Sequence, residues 1–256
     1  MSSLSRYQGY VQRARRDLWK QLSSRGNLGY LSKVETDIRD KLDMAFKQRL
    51  STSVLVVGPD GSGKKKVIDA VLHSYADPTD NLIPFSIARV QPHVCPSDHD
   101  ALCSIASQLC VRGSSAKNLV AALEDLEDHF RQCAINAQPS VVVLEDVHAF
   151  ASREKQILIY TLLDYMHRGD LLFVVVGCTP CAHLQTMLEK RVLSRLNAQF
   201  VYVAPATGRD VCGVLAERLT LEVGGAGCAG AVAGAGAEAG AEGEAEGEMA
   251  YRTAFN

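Results

Sequence analysis

The stretch Ser53-Val54-Leu55-Val56-Val57-Gly58-Pro59-Asp60-Gly61-Ser62-Gly63-Lys64-Lys65-Lys66 limits the possible folds more than any other in this chain. A short apolar run enters a glycine-rich turn, which leads to a lysine and then to the helical spacing Val67, Ile68, Val71, Leu72. G-x-x-x-x-G-K between a strand and a helix is the phosphate-binding P-loop pattern. Its chemistry is largely that of the backbone. Gly58, Gly61 and Gly63 let N–H groups converge on an anion at a helix N-terminus that already carries partial positive charge. Lys64 is expected to reach the outer phosphates, with Pro59, Asp60 and Ser62 completing the cradle. A plain glycine turn before a surface helix is the alternative, and the agreement of strand, spacing, lysine and helix argues against it.

The residue after Lys64 is ordinarily Ser or Thr, whose hydroxyl coordinates Mg²⁺. Here it is Lys65. An ammonium cannot ligate a metal, and close to one it would repel it. Either Lys65 swings away and the metal loses a ligand, or its charge partly replaces the metal against the phosphates. Three lysines in one helical first turn also oppose the helix dipole, by roughly 0.3–1 kcal/mol each, unless an anion sits nearby.

Further along, apolar runs and helical spacings alternate. Leu31, Val34, Ile38, Leu42 and Phe46 predict a helix over 31–49. Strands are expected at Ile83–Val90, Val141–Leu144, Leu171–Val176 and Phe200–Val203, in addition to the P-loop strand. Helices are expected from about Ser97 to Leu109, around Leu119–Phe130, at Glu154–His167 and at His183–Leu196, with another beginning at Asp210. This pattern predicts an α/β fold, a five-stranded parallel sheet flanked by helices with the P-loop after its first strand. The wholly apolar Leu171–Val176 suits a strand buried on both faces.

Domain organisation follows composition. Residues 1–26 carry Arg6, Arg13, Arg15, Arg16, Lys20 and Arg25 against the single acid Asp17. They read as an amphipathic helical arm, either docked on the core or touching a nucleic-acid backbone. Residues 27–206 form the nucleotide-binding core and 207–222 the start of a helical lid. Residues 223–256 form the tail: from 224 to 248 the chain is almost only Gly, Ala and Glu, too poor in large apolar groups to offset chain entropy, and disorder is expected. That tail carries five glutamates, so the remainder is slightly basic although the net charge of the 256 residues is −2. The eight cysteines follow no metal-finger spacing. They are expected to be reduced thiols. No run is long and apolar enough to cross a membrane and no secretory signal opens the chain, so an intracellular location is expected.

Three further groups bear on chemistry. Glu145-Asp146 ends the Val141–Leu144 strand, where an ATPase of this kind places Asp for the metal and then Glu to activate water. The order is inverted here, which puts the longer Glu145 at the metal position and the shorter Asp146 where a base must reach. Thr179, within Gly177-Cys178-Thr179-Pro180-Cys181 at the end of the fourth strand, is placed to sense the γ-phosphate. A thioredoxin-like reading of that C-x-x-C fits the P-loop context poorly. Arg191 and Arg195 stand four residues apart on one predicted helix face. They are either an exposed basic surface or arginine fingers for a neighbouring subunit.

Together, SVLVVGPDGSGK (53–64), VVVLEDVHAF (141–150), ILIYTLLDYMHRG and LEKRVLSR (188–195) resemble the subunit 4 family of the eukaryotic origin recognition complex, within the AAA+ ATPases. The resemblance runs from about residue 8 to 222, and the last two segments are its most specific part. It implies the AAA+ fold, ATP as ligand with Mg²⁺, and a nuclear role in DNA replication initiation, with origin DNA, the other complex subunits and helicase loading as context. It also implies that Asn27 and Leu28 border the adenine and that Arg191 and Arg195 reach the ATP site of neighbouring subunit 1. Lys65, the Glu145-Asp146 inversion and the absence of the family's winged-helix half depart from the pattern. Weak or no ATP hydrolysis by the chain itself is expected. A stand-alone P-loop ATPase of clamp-loader type and a scaffold that no longer binds nucleotide are the competing readings.

Overall fold

Strand β1 (Thr52–Val57) lies inside the sheet, bonded in parallel to β4 (Phe173–Thr179) on one edge and β5 (Ala198–Tyr202) on the other. With β2 (Ser86–Val90) and β3 (Ser140–Leu144) the strand order is β2-β3-β4-β1-β5, parallel throughout. The computed structural model describes residues 15–16, 29–76, 86–110, 118–138 and 140–219. Leu18–Leu219 form one unit. Of the other, Met1–Asp17 with Thr220–Asn256, only Arg15 and Arg16 are described, both helical and exposed. The rest of the expected basic arm, the Asn27-Leu28 segment and the tail from 223 lie outside the described residues.

The helices follow from apolar spacing and are placed by the two faces of the sheet. In β1, Val54 and Val56 point one way and Leu55 the other, the period-2 alternation of a strand. Val54 and Val56 join Val141, Val143, Val174 and Val176 beneath helices α1 (Ser32–Gln48) and α2 (Lys64–Ala76). Leu55 joins Val142, Phe173 and Val175 on the opposite face. That face is covered by α3 (Asp98–Leu109), α4 (Leu119–Asn136), α5 (Val147–Ala151) and α6 (Ile157–His167). Phe130 of α4 stacks on Phe173 of β4 at 4.2 Å between ring centroids. Each such fully buried large side chain stabilises the fold by roughly 1.5–3 kcal/mol. Ser97 and Asp100 form a reciprocal capping box at the start of α3, which explains why that helix starts where the sequence places it.

Four boundaries differ from expectation for identifiable reasons. The fourth strand begins at Phe173 and continues through Gly177, Cys178 and Thr179, because β1 pairs with it as far as Val57 opposite Thr179. The helix expected over His183–Leu196 is two short ones, α7 (Leu184–Met187) and α8 (Lys190–Leu193). Between them the Glu189 N–H donates to the buried Gln156 side chain instead of to a helical carbonyl. The helix expected from Glu154 opens as a 3₁₀ turn, with Lys155 and Gln156 at φ 64° and 41°, before α6. The fifth strand starts at Ala198, two residues before the expected Phe200. A last helix, α9, spans Gly208–Leu219.

At the base of the sheet sits a small polar knot. Ser140 Oγ lies 2.8 Å from His129 Nε2, 3.1 Å from Ser86 Oγ and 3.2 Å from Cys133 Sγ. Burial pushes the His129 pKa below its ordinary 6.5 and raises that of Cys133, so both are neutral at physiological pH. The unfolded chain takes up a proton near pH 6.5 before the folded one does. The stability that His129 contributes is therefore fully present above pH 6.5 and is lost as pH falls toward its lowered folded pKa. Urea unfolding at stepwise lower pH is expected to show a decline of at most about 1.4 kcal/mol per pH unit from this group. His129→Gln is expected to abolish that component of the slope while keeping a polar partner for Ser140.

Candidate functional site

The loop after β1 is held by the sheet itself. Gly58 N–H donates to Thr179 O at 3.2 Å and Val203 N–H to Val57 O at 2.7 Å, so the ladder on both sides runs up to the turn. A Cβ on Gly58 would lie 2.5 Å from Val203 O, a backbone atom with little room to move. Gly61 and Gly63 take φ of 78° and 88°, where side chains are strained. The turn brings Gly61 and Gly63 with Lys64, Lys65 and Lys66 to one wall of an open cleft of about 650 Å³, also lined by Tyr30, Asp60, Asp146, His148 and Pro180.

Lys64 is 6% exposed and its Nζ donates to Gly58 O and Pro59 O, both at 2.6 Å. These two carbonyls hold the ammonium back inside the loop, so Lys64 lines the cleft without the outward reach that the sequence suggests. Two buried polar atoms at this site have no hydrogen-bond partner: Ser62 Oγ in the turn and His148 Nδ1 on the cleft wall. Orphaned buried donors and acceptors are costly unless something satisfies them. Together with the turn's geometry, they suit a polar, anionic ligand.

The acids at the end of β3 meet cations. Lys65 Nζ lies 3.0 Å from Glu145 Oε2 and 3.1 Å from Asp146 Oδ2. Gln91 Nε2 also donates to Glu145 Oε2, at 3.0 Å, and Arg89 Nη1 bonds Glu145 Oε1 at 3.1 Å. Arg89 reaches Asp69 with its other nitrogen. Burial would push the Glu145 carboxyl up, but its bonds to Lys65, Gln91 and Arg89 outweigh this and hold it below the usual carboxylate range. For Lys65 burial would lower the pKa, and the bonds and charges of Glu145 and Asp146 raise it instead. Asp146 itself stands at φ 50°.

The Mg²⁺ implied by the resemblance meets a donor set that does not suit it. The hydroxyl position holds an ammonium, both Glu145 oxygens are engaged, and Asp146 is paired with the same ammonium. Among the described residues no cluster of three or more His, Cys, Asp or Glu side chains could hold a metal. The phosphate cradle fits its ligand. The metal position does not.

Thr179 is fully buried; its hydroxyl accepts from Cys181 N–H at 3.1 Å and its carbonyl from Gly58 N–H. It therefore stands one backbone bond from the loop, with its side chain turned into the following bend. Arg191 and Arg195 lie outside the cleft. Their guanidinium carbons sit 5.2 Å and 4.7 Å from the centroid of the same ring, Tyr160 of α6. Arg191 bonds Glu189 at 2.7 Å and Lys155 O, and Arg195 bonds Asp164 at 3.1 Å. The pair is thus assembled by packing on α6 and not by a common helix face, since α8 ends at Leu193.

Sequence reasoning missed the residues that hold these groups. Arg89 and Gln91 follow from pairing Val90 with Leu144, which puts their strand beside the acids. Gln156 is 3% exposed and donates to Ala151 O at 2.6 Å and Met187 O at 2.8 Å while accepting from Glu189 N–H. It sets where the arginine segment begins. The apolar, helical context of Tyr160 and Asp164 could have marked them as neighbours of that segment, but nothing in it specified the stacking.

No family model matches the chain. It is similar to origin of replication complex subunit 4 of Arabidopsis thaliana, 29% identical over 175 residues that span 67% of this chain and 41% of that protein. It is also similar to origin recognition complex subunit 4 of Cricetulus griseus (30% over 164 residues, 60% and 36%) and of Homo sapiens (28% over 210 residues, 77% and 47%). The chain thus spans less than half the length of these relatives. Among solved structures it resembles the Aeropyrum pernix ORC1 protein in complex with DNA (TM-score 0.62, 19% identity, 73% of this chain and 48% of that one). Drosophila ORC bound to DNA is similar to the same degree (TM-score 0.62, 18% identity, 73% and 45%). The resemblance to the subunit 4 family is borne out, and so is the AAA+ fold.

The ionic network ranks its members. Arg89→Met removes one of two cations from a nearly buried carboxylate and is expected to cost about 1–3 kcal/mol in urea unfolding. Lys65→Met removes a half-exposed partner and is expected to cost about 0–1 kcal/mol. Equal losses would show that Arg89 is not what secures Glu145.

Proposed function

We propose that this chain, a relative of subunit 4 of the origin recognition complex with the AAA+ fold, is an ATP-binding component of that complex in the nucleus. In this reading it takes part in replication initiation, alongside origin DNA and helicase loading. It holds its own nucleotide and contributes Arg191 and Arg195 to a neighbour's, the neighbour being subunit 1. Gly58 to Lys65 cradle the phosphates, Asn27 and Leu28 border the adenine, and Thr179, whose carbonyl accepts from Gly58 N–H, couples the γ-phosphate to the sheet through the loop backbone. Glu145 and Asp146 occupy the metal and base positions.

One observation carries the proposal: the acids and the arginines are separated. Both carboxylates are tied to cations beside the loop, so neither is free to activate water there. Arg191 and Arg195 keep 46% and 31% of their side-chain surface exposed, away from the cleft, and are braced by Tyr160, Glu189 and Asp164. A braced, exposed guanidinium can stabilise charge that develops on a phosphoryl group bound by another subunit. The cleft supports binding with little turnover. Similarity to subunit 4 supports the assembly and its DNA context.

Reconstituting the complex with Arg191→Ala and Arg195→Ala together is expected to lower its ATPase rate at least about tenfold, well within what a lost arginine finger costs. ATP retention by this chain is expected to be unchanged. An unaltered rate would return both residues to an ordinary basic surface. Turnover by this chain alone is expected to be negligible, and rapid Mg²⁺-dependent hydrolysis would place it with stand-alone P-loop ATPases instead.

A further inference from the structure

We infer that Lys65 acts as a built-in cation, so that the cleft holds a nucleoside triphosphate without needing the magnesium ion that a hydroxyl at this position would help to ligate. The inference rests on the nucleotide reading above and concerns whether the bound ligand needs a metal.

The geometry supports it from three sides. Lys65 Nζ lies between Glu145 Oε2 at 3.0 Å and Asp146 Oδ2 at 3.1 Å, the two carboxylates that a divalent ion would need. It is not sequestered there: half of its side-chain surface is exposed, and Lys65 and Asp146 both line the cleft with Gly61, Gly63, Lys64 and Lys66. On the far side of Glu145, Arg89 holds Oε1 and Gln91 shares Oε2. A divalent ion would therefore have to displace an ammonium and then sit close to it, for one shared carboxylate oxygen and Asp146.

Charge balance points the same way. A triphosphate without metal carries more negative charge than its magnesium complex, and three lysines on one cleft wall match that excess. Because like charges a few ångströms apart repel more strongly beside a protein surface than in bulk water, the protein gains nothing from a magnesium ion at the position that Lys65 occupies. Lys65 can exchange its carboxylate partners for phosphate oxygens by rotating a flexible stem, at no cost in metal dehydration.

The test is equilibrium titration of the full chain with ATP, in excess Mg²⁺ and in excess chelator. Wild-type affinities are expected to agree within about threefold, under 1 kcal/mol. Lys65→Thr restores the hydroxyl and frees one side of both acids. Its metal-free affinity is expected to fall by about tenfold or more, and Mg²⁺ to recover most of that loss. Lys65→Arg keeps the charge and is expected to remain indifferent to Mg²⁺; it decides the matter if Lys65→Thr fails to fold by circular dichroism. Wild-type binding that is tenfold tighter with Mg²⁺, or a folded Lys65→Thr with wild-type behaviour, overturns the inference and leaves the nucleotide reading standing. No ATP binding in any condition overturns both.

Discussion

Strand β1 has no free side. β4 and β5 close its edges, α1 and α2 cover one face, and the larger apolar cluster covers the other. A strand so enclosed cannot slide, because a one-residue shift would turn Val54 and Val56 toward the wrong cluster. The loop leaving it inherits that rigidity. Its first N–H is bonded to β4, and Gly58 passes so close to Val203 O that only a residue without a side chain fits. The cradle is thus pre-formed by the sheet and does not depend on a ligand to shape it.

The parallel order also decides which charges meet. All five strands end on one side, so the C-terminal ends of β1, β2, β3 and β4 bring Lys64, Arg89, Glu145 and Thr179 into one neighbourhood. Bringing acids there without counter-charges would be costly in a partly buried setting. In this chain the counter-charges are protein side chains, Lys65 and Arg89, and Glu145 stays ionised because of them. A site balanced internally is suited to holding an anionic ligand, and less suited to generating a nucleophile.

The arginine pair obeys a different logic. Backbone strain at Lys155 and Gln156 turns a carbonyl and an amide side chain toward the next segment, where they meet Arg191 and Glu189. Strain of this kind persists only when its surroundings over-determine it. Gln156, bonded at three points, supplies that constraint, and Tyr160 offers one ring to two guanidinium groups. The result is a pair of guanidinium groups braced outside the chain's own cleft.

The sequence by itself determined the elements whose signals are local. The P-loop, the five strands and the main helices follow from residue type and spacing, since hydrophobic period and glycine position act within a few residues. Similarity of segments such as LEKRVLSR carried the resemblance to the subunit 4 family. Tertiary structure alone decided the rest, because it depends on pairing between distant segments. Strand register extended β4 to Thr179, and the Gln156 side chain, bonded to Met187 O and Glu189 N–H, divided the helix expected over His183–Leu196. The same holds for the opening lysines. Sequence placed Lys65 where a hydroxyl belongs, but only the fold placed its ammonium between Glu145 and Asp146, because the start of α2 and the end of β3 are brought together by the sheet and not by nearness along the chain.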